Sequence, residues 1–480
     1  MFTQTLFVYG MMAAFVCMSG FYMVRKMFTP LRAFLLGGVF LGLAGMVALT
    51  PWSIPDGGNH FWSAYDRVES LLDGGNGGLM RASDGSAYDA CYCDRPGRAD
   101  YEAYWAIRNQ TVEETLVENP HRMPELAFYQ DINYAPMMFG ILLARLLHLN
   151  FFYMTMLARG CQWLVVFALY AYAVYRIPVG KWIVALAGML PLMIQTISGF
   201  SYDGMVVAIS VNFIASALWL WRKPEGGSPY VHTLVFAALL GLIKGGGYLL
   251  LLPLALLCFT PSSECSTGKK ILQFVSILLV GAASAYCADV VLAPGELFQL
   301  GTENGSNYTT AFAYEQPLAY LELLLRTYLE KRAFLFASMT GTVLGFLEEI
   351  NSVRLMYVAT LLMILTEFIA RRRDSLSIHR PLPWVEGVAL ILPVFVAALT
   401  IPAMILKDNP VGCSVIEGLQ GRYFFPVFGL GLIWLCYLIP VAAKGGKSSC
   451  KCLPEQVVAF AFGLLQCYFL HTTFGFFMGR

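Results

Sequence analysis

The chain has 480 residues, of which 58% are hydrophobic and 13% are charged, and its mean hydropathy is +0.61. This composition lies far outside the soluble range, so it predicts an integral membrane protein, and we treat residues 1–480 as one transmembrane domain. The formal net charge of +1 argues against a nucleic-acid partner.

Apolar runs long enough to cross a membrane occur about twelve times, at 5–24, 33–50, 155–175, 182–200, 204–221, 230–243, 247–259, 271–292, 353–370, 384–404, 424–443 and 455–477. They predict an all-α membrane fold, a polytopic helical bundle. Lys and Arg cluster in connectors that all fall on one side of this topology. The positive-inside rule makes that side cytoplasmic. The large loop 51–154, a second loop 293–352 and the short loop 405–423 are then extracytoplasmic.

Three segments differ from ordinary spans. Residues 134–150 are apolar, but counting them as a span would reverse every later basic connector, so we interpret them as an interfacial or re-entrant helix. Residues 317–332 carry leucines at helical spacing and predict an amphipathic helix lying on the bilayer. Lys244 and the three glycines 245–247 lie at the junction of 230–243 and 247–259, which predicts a broken helix beside a polar cavity.

Charged residues at the extracytoplasmic face or in the adjacent half of the membrane are costly to hold there, which makes them functional candidates. They are Asp56, His60, Asp203, Lys244 and Arg422, with Arg145 and Arg159 in or beside the 134–150 helix. A carboxylate can act as general base toward a hydroxyl, and Lys and Arg can bind a phosphate leaving group. The set therefore suits the transfer of a group from a lipid phosphate to an acceptor.

Four of these residues also have structural interpretations. Asp203 precedes a helical run and could cap its free N–H groups, and Arg422 could anchor the chain at the membrane interface. Asp56 lies in a Pro-Asp-Gly-Gly sequence that is typical of turns. His60 suits orienting a partner better than carrying a proton.

Metal and disulfide chemistry stay open at this point. A divalent metal ion between Asp56 and Asp203 is compatible with the residues, although the sequence does not determine it. The spacing of Cys91 and Cys93 is a weak metal signal, and the sequence leaves open whether these two or Cys413 form disulfides.

Seven short motifs follow one another along most of the chain. They are Pro55-Asp56-x-x-x-His60-Phe61, Asn133-Tyr134-Ala135-Pro136, Ala158-Arg159, Leu190-Pro191-Leu192-Met193 with Ser201-Tyr202-Asp203-Gly204, Lys244, the stretch from Thr340 to Glu348, and Gln420-Gly421-Arg422-Tyr423-Phe424-Phe425-Pro426. In this order they resemble a large bacterial family of polytopic membrane proteins of unknown function, within the GT-C superfamily of membrane glycosyltransferases. That family has Asp-Glu where this chain has Asp56-Gly57, which argues against a mechanism that needs both carboxylates in the first loop; Asp203 could supply the second carboxylate.

The resemblance implies a GT-C-like fold and an inverting glycosyltransferase in the bacterial cytoplasmic membrane. Its donor would be a polyprenyl-phosphate-linked sugar, and its acceptor an extracytoplasmic cell-envelope glycan or lipid. Asp56 would be the base, and His60 and Asp203 would shape the site. The lipid phosphate would be bound by the cations Lys244, Arg422, Arg159 and Arg145.

Two other hypotheses compete with this one. A transporter or flippase of lipid-linked glycans would use the same charges as a translocation path. The sequence shows no internal repeat and places the charges at the outer face rather than at the bilayer midplane, which weighs against a transporter. A non-catalytic membrane scaffold would tolerate the loss of Lys244 or Arg422.

Overall fold

The computed structural model describes residues 1–72, 78–93, 98–122, 131–260, 265–288, 307–309, 311–345, 347–372, 383–440 and 454–479. These residues are mostly helical. The α-helices are α1 Phe2–Val24, α2 Pro30–Leu36, α3 Gly42–Ala48, α4 Gly57–Leu72, α5 Ala82–Cys91, α6 Arg98–Ala106, α7 Asp131–Leu146, α8 Phe151–Arg176, α9 Lys181–Ala187, α10 Pro191–Ser198, α11 Asp203–Arg222, α12 Gly227–Leu242, α13 Thr267–Cys287, α14 Phe312–Glu315, α15 Pro317–Thr340, α16 Val353–Arg371, α17 Trp384–Ile405, α18 Phe425–Leu438 and α19 Pro454–Phe477.

Shorter elements complete this description. The π-helical turns Gly37–Leu41 join α2 to α3, and 3-10 segments occur at Ile107–Asn109, Ile243–Phe259, Leu406–Asp408 and Gly421–Phe424. Strands β1 Leu79–Arg81 and β2 Leu116–Glu118 pair antiparallel with Met80 opposite Val117. Strands β3 Val343–Leu344 and β4 Glu348–Glu349 form a second antiparallel pair.

Ten helical segments of the described residues are long and apolar enough to cross a membrane, or eleven if the bent pair α9 and α10 counts as one span. The chain is therefore an integral, mostly helical membrane protein. The expected number of about twelve is not confirmed, because residues 227–259 count here as one long segment with a break rather than as two spans. Helix α7 is shorter than these spans and α15 is not among the ten, so the position of both helices at the membrane interface stays a prediction.

Helix α11 lies at the centre of the bundle. Its apolar residues cover all sides, and 94% of its most hydrophobic 18-residue stretch is buried, as expected of a helix that other helices surround. It contacts α8, α12, α18 and the 243–259 segment. Helices α1 and α13 lie at the periphery of the same bundle, because only 17% of the most hydrophobic 18-residue stretch of each is buried. The first residue of α11 is Asp203, so the most central helix carries this carboxylate at its N-terminus.

The described parts of the large loop form a small folded unit on the end of the bundle. Its core is aromatic and includes Trp52, Phe61, Trp62, Tyr65, Tyr88, Phe151 and Phe200. Below this core, Arg81 donates to both carboxylate oxygens of Asp84, and both side chains are fully buried. Because Phe151 begins α8 and Phe200 follows α10, the core attaches the loop to two membrane helices and fixes the position of α4.

Candidate functional site

Asp56 lies in a turn between the second apolar span and α4. Its φ is +62°, a left-handed conformation that aspartate adopts more readily than most residues, and its backbone oxygen accepts the N–H of His60 at 2.9 Å. The Asp56 side chain is 55% exposed. The turn thus presents a solvent-accessible carboxylate at the place where the large loop meets the bundle.

Lys244 lies at the break in the 227–259 segment, as the sequence predicts. Lys244, Gly245 and Gly246 have φ values of +44°, +61° and +73°, so three successive residues leave the helical conformation. Two of them are glycines, for which this conformation carries no steric cost, but Lys244 is strained. Strain of this kind persists where the surrounding structure enforces it, and here it directs the lysine toward Asp203.

The two cations converge on one carboxylate. Lys244 Nζ is 3.5 Å from Asp203 Oδ1, and Arg422 Nε is 3.7 Å from Asp203 Oδ2. Arg422 also reaches Asp56, with Nη2 3.5 Å from Oδ2. Arg422 therefore bridges the exposed carboxylate of the turn and the carboxylate of the central helix. The four residues stand at positions 56, 203, 244 and 422, far apart in the sequence, so only the folding of the chain brings their side chains together.

Aromatic rings enclose the lysine. The Lys244 ammonium is 4.4 Å from the ring centre of Tyr423 and 5.3 Å from that of Tyr202, distances at which the ring faces attract a cation. The Tyr248 hydroxyl donates a hydrogen bond to the backbone oxygen of Tyr423 at 2.9 Å, which holds the Tyr423 backbone in place. The rings thus restrict the ammonium group to the side of the cavity that faces Asp203.

His60 joins the large loop to this cavity. Its Nδ1 is 2.9 Å from the hydroxyl of Tyr134 on α7, and its ring packs edge-on against Tyr202 with centres 4.6 Å apart. Burial lowers the pKa of His60 to about 4, although Asp203 and Asp56 act in the opposite direction. The imidazole is therefore neutral at pH 7. A neutral, hydrogen-bonded ring is compatible with an orienting residue, and that role stays a prediction.

A cavity of about 300 Å³ contains these groups. Its lining comprises Asp56, His60, Tyr202, Asp203, Lys244, Gly247, Tyr248, Ile401, Met404, Ile405, Lys407, Asp408, Arg422 and Tyr423. Five of the seven sequence-predicted residues are among them. Lys407 and Asp408 were not among the predicted residues, although this charged pair begins three residues after the apolar run 384–404 ends. The cavity tyrosines were not predicted either: Tyr202 and Tyr423 stand in the quoted motifs, but only charged residues of those motifs were assigned roles.

The structure does not bring Arg145 to the cavity, so its assignment to phosphate binding is not supported. Its guanidinium forms hydrogen bonds with both carboxylate oxygens of Glu69 on α4 and an ion pair with Glu114. The Arg145 and Glu69 side chains are 9% and 3% exposed. Burial raises the pKa of Glu69, and the hydrogen bonds from Arg145 oppose that rise. Arg145 thus holds α7 against α4 within the large loop.

Arg159 is likewise outside the cavity. It is fully buried, and it donates to the backbone oxygens of Ser198, Met46 and Leu49. These carbonyls belong to the ends of α3 and α10, where helices leave oxygens without a helical partner. Arg159 therefore satisfies backbone groups between three helices, and its full burial separates it from solvent and from the cavity.

The donor set does not fit a divalent metal between Asp56 and Asp203. Both oxygens of Asp203 face Lys244 or Arg422, and two adjacent positive charges oppose a third cation. The described residues contain no group of three His, Cys, Asp or Glu side chains that could hold a metal ion. Cys91, Cys93 and Cys413 form no disulfide within the part of the chain that the structure describes.

The fold and the cavity define a class: a polytopic α-helical membrane protein with a cluster of paired charges where a folded loop meets the bundle. The chain belongs to the family described as "Predicted membrane protein (DUF2142)", whose model matches residues 39–430. That range contains every residue of the charge cluster. Neither a curated protein nor a solved structure matches the chain.

Proposed function

We propose that the protein is a membrane glycosyltransferase that moves a sugar from a polyprenyl-phosphate donor to an extracytoplasmic glycan or lipid acceptor of the bacterial cell envelope. The observation that carries this proposal is the pairing of an accessible carboxylate, Asp56, with two cations in one cavity at the end of the bundle. In this proposal a water-soluble or interfacial acceptor would enter from the loop side and the lipid donor from the membrane side.

The proposed reaction is a single displacement. The hydroxyl oxygen of the acceptor attacks the anomeric carbon, the bond between that carbon and the phosphate oxygen breaks, and its electron pair stays on the phosphate. Asp56 accepts the hydroxyl proton as general base, because it is the exposed carboxylate of the cavity turn. Attack opposite to the leaving group inverts the anomeric configuration.

Lys244 and Arg422 would bind and neutralise the phosphate, lysine as a point charge and arginine as a bidentate donor. In the absence of a ligand Asp203 is their counterion, so it would keep both cations in place between reaction cycles. The assignment of Asp203 is therefore to positioning rather than to proton transfer. His60, neutral and tied to Tyr134, would orient the turn that carries Asp56.

The test uses the purified full-length chain in membranes that supply lipid-linked sugars, with mass spectrometry of the modified acceptor. An Asp56→Asn variant should lower the transfer rate by about a hundredfold or more, as the loss of a general base does. Asp89→Asn is a matched control, because Asp89 is an exposed carboxylate of the large loop that lies outside the cavity.

Transfer by Asp56→Asn at the wild-type rate would refute the assignment of the base. A flippase would instead move the lipid-linked glycan across the bilayer without forming a glycosylated product. Flipping that depends on Lys244 and Arg422, with no product detected, would therefore favour the transport hypothesis over transfer.

A further inference from the structure

Two charged side chains of the cavity take no part in the chemistry proposed above. Lys407 and Asp408 belong to the 3-10 turn Leu406–Asp408 that follows α17, and both line the cavity. Both are exposed, and among the residues that the structure describes neither forms an ion pair. The other carboxylates and cations of the cavity face one another. Lys407 and Asp408 therefore leave one positive and one negative group available to a ligand.

A buried asparagine holds this turn in place. Asn409 is fully buried, and its Nδ2 donates to the backbone oxygens of Ile405 at 2.9 Å and Glu417 at 3.2 Å. Its Oδ1 accepts the backbone N–H of Glu417 at 2.6 Å. In addition, Asn307 Nδ2 donates to the backbone oxygen of Lys407 at 3.1 Å. The turn therefore presents its two charged side chains from a fixed backbone, which lowers the entropy cost of binding a ligand.

The two side chains suit a ligand that both donates and accepts hydrogen bonds. Successive residues of a 3-10 turn point about 120° apart, so Lys407 and Asp408 do not neutralise each other. The ammonium group only donates and the carboxylate only accepts, whereas a sugar hydroxyl does both. An apolar ligand would bury both charges without a partner, which is costly, and an anionic ligand would be repelled by Asp408 and Asp56. Neutral sugar hydroxyls satisfy both groups at once.

We propose that Lys407 and Asp408 bind a neutral sugar residue of the acceptor, which makes the acceptor a glycan rather than a lipid. The inference rests on the proposed function, because it takes Asp56 as the base from it. All three residues line one cavity of about 300 Å³, at the lower end of the range for small-molecule sites, so a sugar held by Lys407 and Asp408 shares that small space with Asp56. Lys407 and Asp408 select the acceptor, whereas Asp56 takes its proton.

Binding is measured by saturation-transfer NMR on the purified full-length chain in lipid nanodiscs, because glycoside detergents would occupy a sugar site. The probes are the methyl glycosides of glucose, galactose, rhamnose and N-acetylglucosamine, with methyl glucuronide as the anionic counterpart. At least one neutral probe should bind the wild type. Asp408→Asn and Lys407→Gln should each weaken that binding about tenfold, since a hydrogen bond to a charged group is strong enough for this factor. Asp408→Asn should also improve binding of the glucuronide relative to the neutral probes, a change of preference that a purely structural role would not produce.

Glu417→Gln is the matched control. Glu417 is an exposed carboxylate close to the same turn, its side chain pairs with Lys331, and it does not line the cavity. This variant should bind the probes as the wild type does. In the transfer assay with a glycan acceptor, Asp408→Asn should raise KM about tenfold and leave kcat nearly unchanged, because Asp408 binds the acceptor equally before and during the reaction. Asp56→Asn should instead lower kcat.

Failure of every neutral probe to bind the wild type would overturn the inference, and so would unchanged binding in both variants. Transfer to dioleoylglycerol but to no glycan would also overturn it, because the acceptor would then be a lipid. Probe binding that depends on Lys407 and Asp408, without any transfer product, would refute the proposed function and leave the sugar site. Transfer to a glycan with a KM that neither variant changes would overturn the inference and leave the proposed function intact.

Discussion

Replacing Asp203 by Asn tests whether the ion pairs of the cavity hold the molecule together. Asparagine has nearly the same shape, so the change removes the charge while the start of α11 stays intact. Lys244 and Arg422 would then lie together, with side chains 28% and 10% exposed, without the carboxylate that both now face.

The size of the effect follows from the distances. At 3.5 Å for Lys244 and 3.7 Å for Arg422, Coulomb's law gives about 4–5 kcal/mol for each pair with an effective dielectric constant of about 20. Removing one partner of a fully buried pair costs about 3–5 kcal/mol. Solvent reaches part of this cluster and screens it, so we expect the free energy of unfolding to fall by about 2–3 kcal/mol.

The assay is equilibrium unfolding of the purified chain in detergent, with Asp408→Asn as the control. Asp408 lines the same cavity but is exposed, and it has no ion pair among the residues that the structure describes. A double-mutant cycle of Asp203→Asn with Lys244→Gln should give a coupling energy of about 1–2 kcal/mol. Equal stability of the Asp203→Asn and Asp408→Asn variants would refute the reasoning.

Three further predictions concern residues around the cavity. The pKa of His60 is about 4 in the folded chain, so between about pH 6.5 and pH 4 the unfolded chain binds a proton at this site that the folded chain does not bind. The free energy of unfolding should therefore fall by up to about 3 kcal/mol as the pH decreases through that window. Thermal unfolding should show a smaller fall for His60→Gln. Arg145→Met should destabilise the chain by about 3–5 kcal/mol because it leaves Glu69 unpaired, and the Arg145→Met/Glu69→Met double variant should recover most of that loss. A phosphate-binding defect in the folded double variant would contradict the structural role of Arg145. Arg159→Met removes the donor of three buried carbonyl groups, at a cost of about 1–3 kcal/mol each. It should therefore lower the yield of folded protein, while the folded fraction keeps its affinity for lipid phosphate. A normal yield with weakened affinity would show that Arg159 acts at the site.

Several features of the fold were accessible from the sequence for a simple reason. The positions of the membrane helices follow from hydropathy, because each backbone polar group in lipid must be satisfied within its own helix. The break at Lys244 was predictable because three glycines and a charge cannot continue an apolar helix. The distribution of basic connectors predicted that α7 is not a span, and its 16 residues are fewer than any of the ten candidate spans among the described residues has.

The roles of the arginines were not accessible in this way. Arg145, Arg159 and Arg422 all adjoin apolar segments, and the sequence assigned all three to phosphate binding. The structure separates them by their partners: Glu69 for Arg145, three carbonyls for Arg159, and Asp56 with Asp203 for Arg422. Sequence position carries no information about such partners, because each of them lies on a different helix or turn.

The sequence by itself thus determined that the chain is a polytopic membrane protein, and it named Asp56, His60, Asp203, Lys244 and Arg422 as candidates. Hydrophobic length and the cost of charge near lipid are local properties, and they can be read residue by residue. Only the tertiary structure decided that these five residues share one cavity. The cavity depends on contacts between helices far apart in the chain, and the packing of α11, α17 and α18 against the loop creates them.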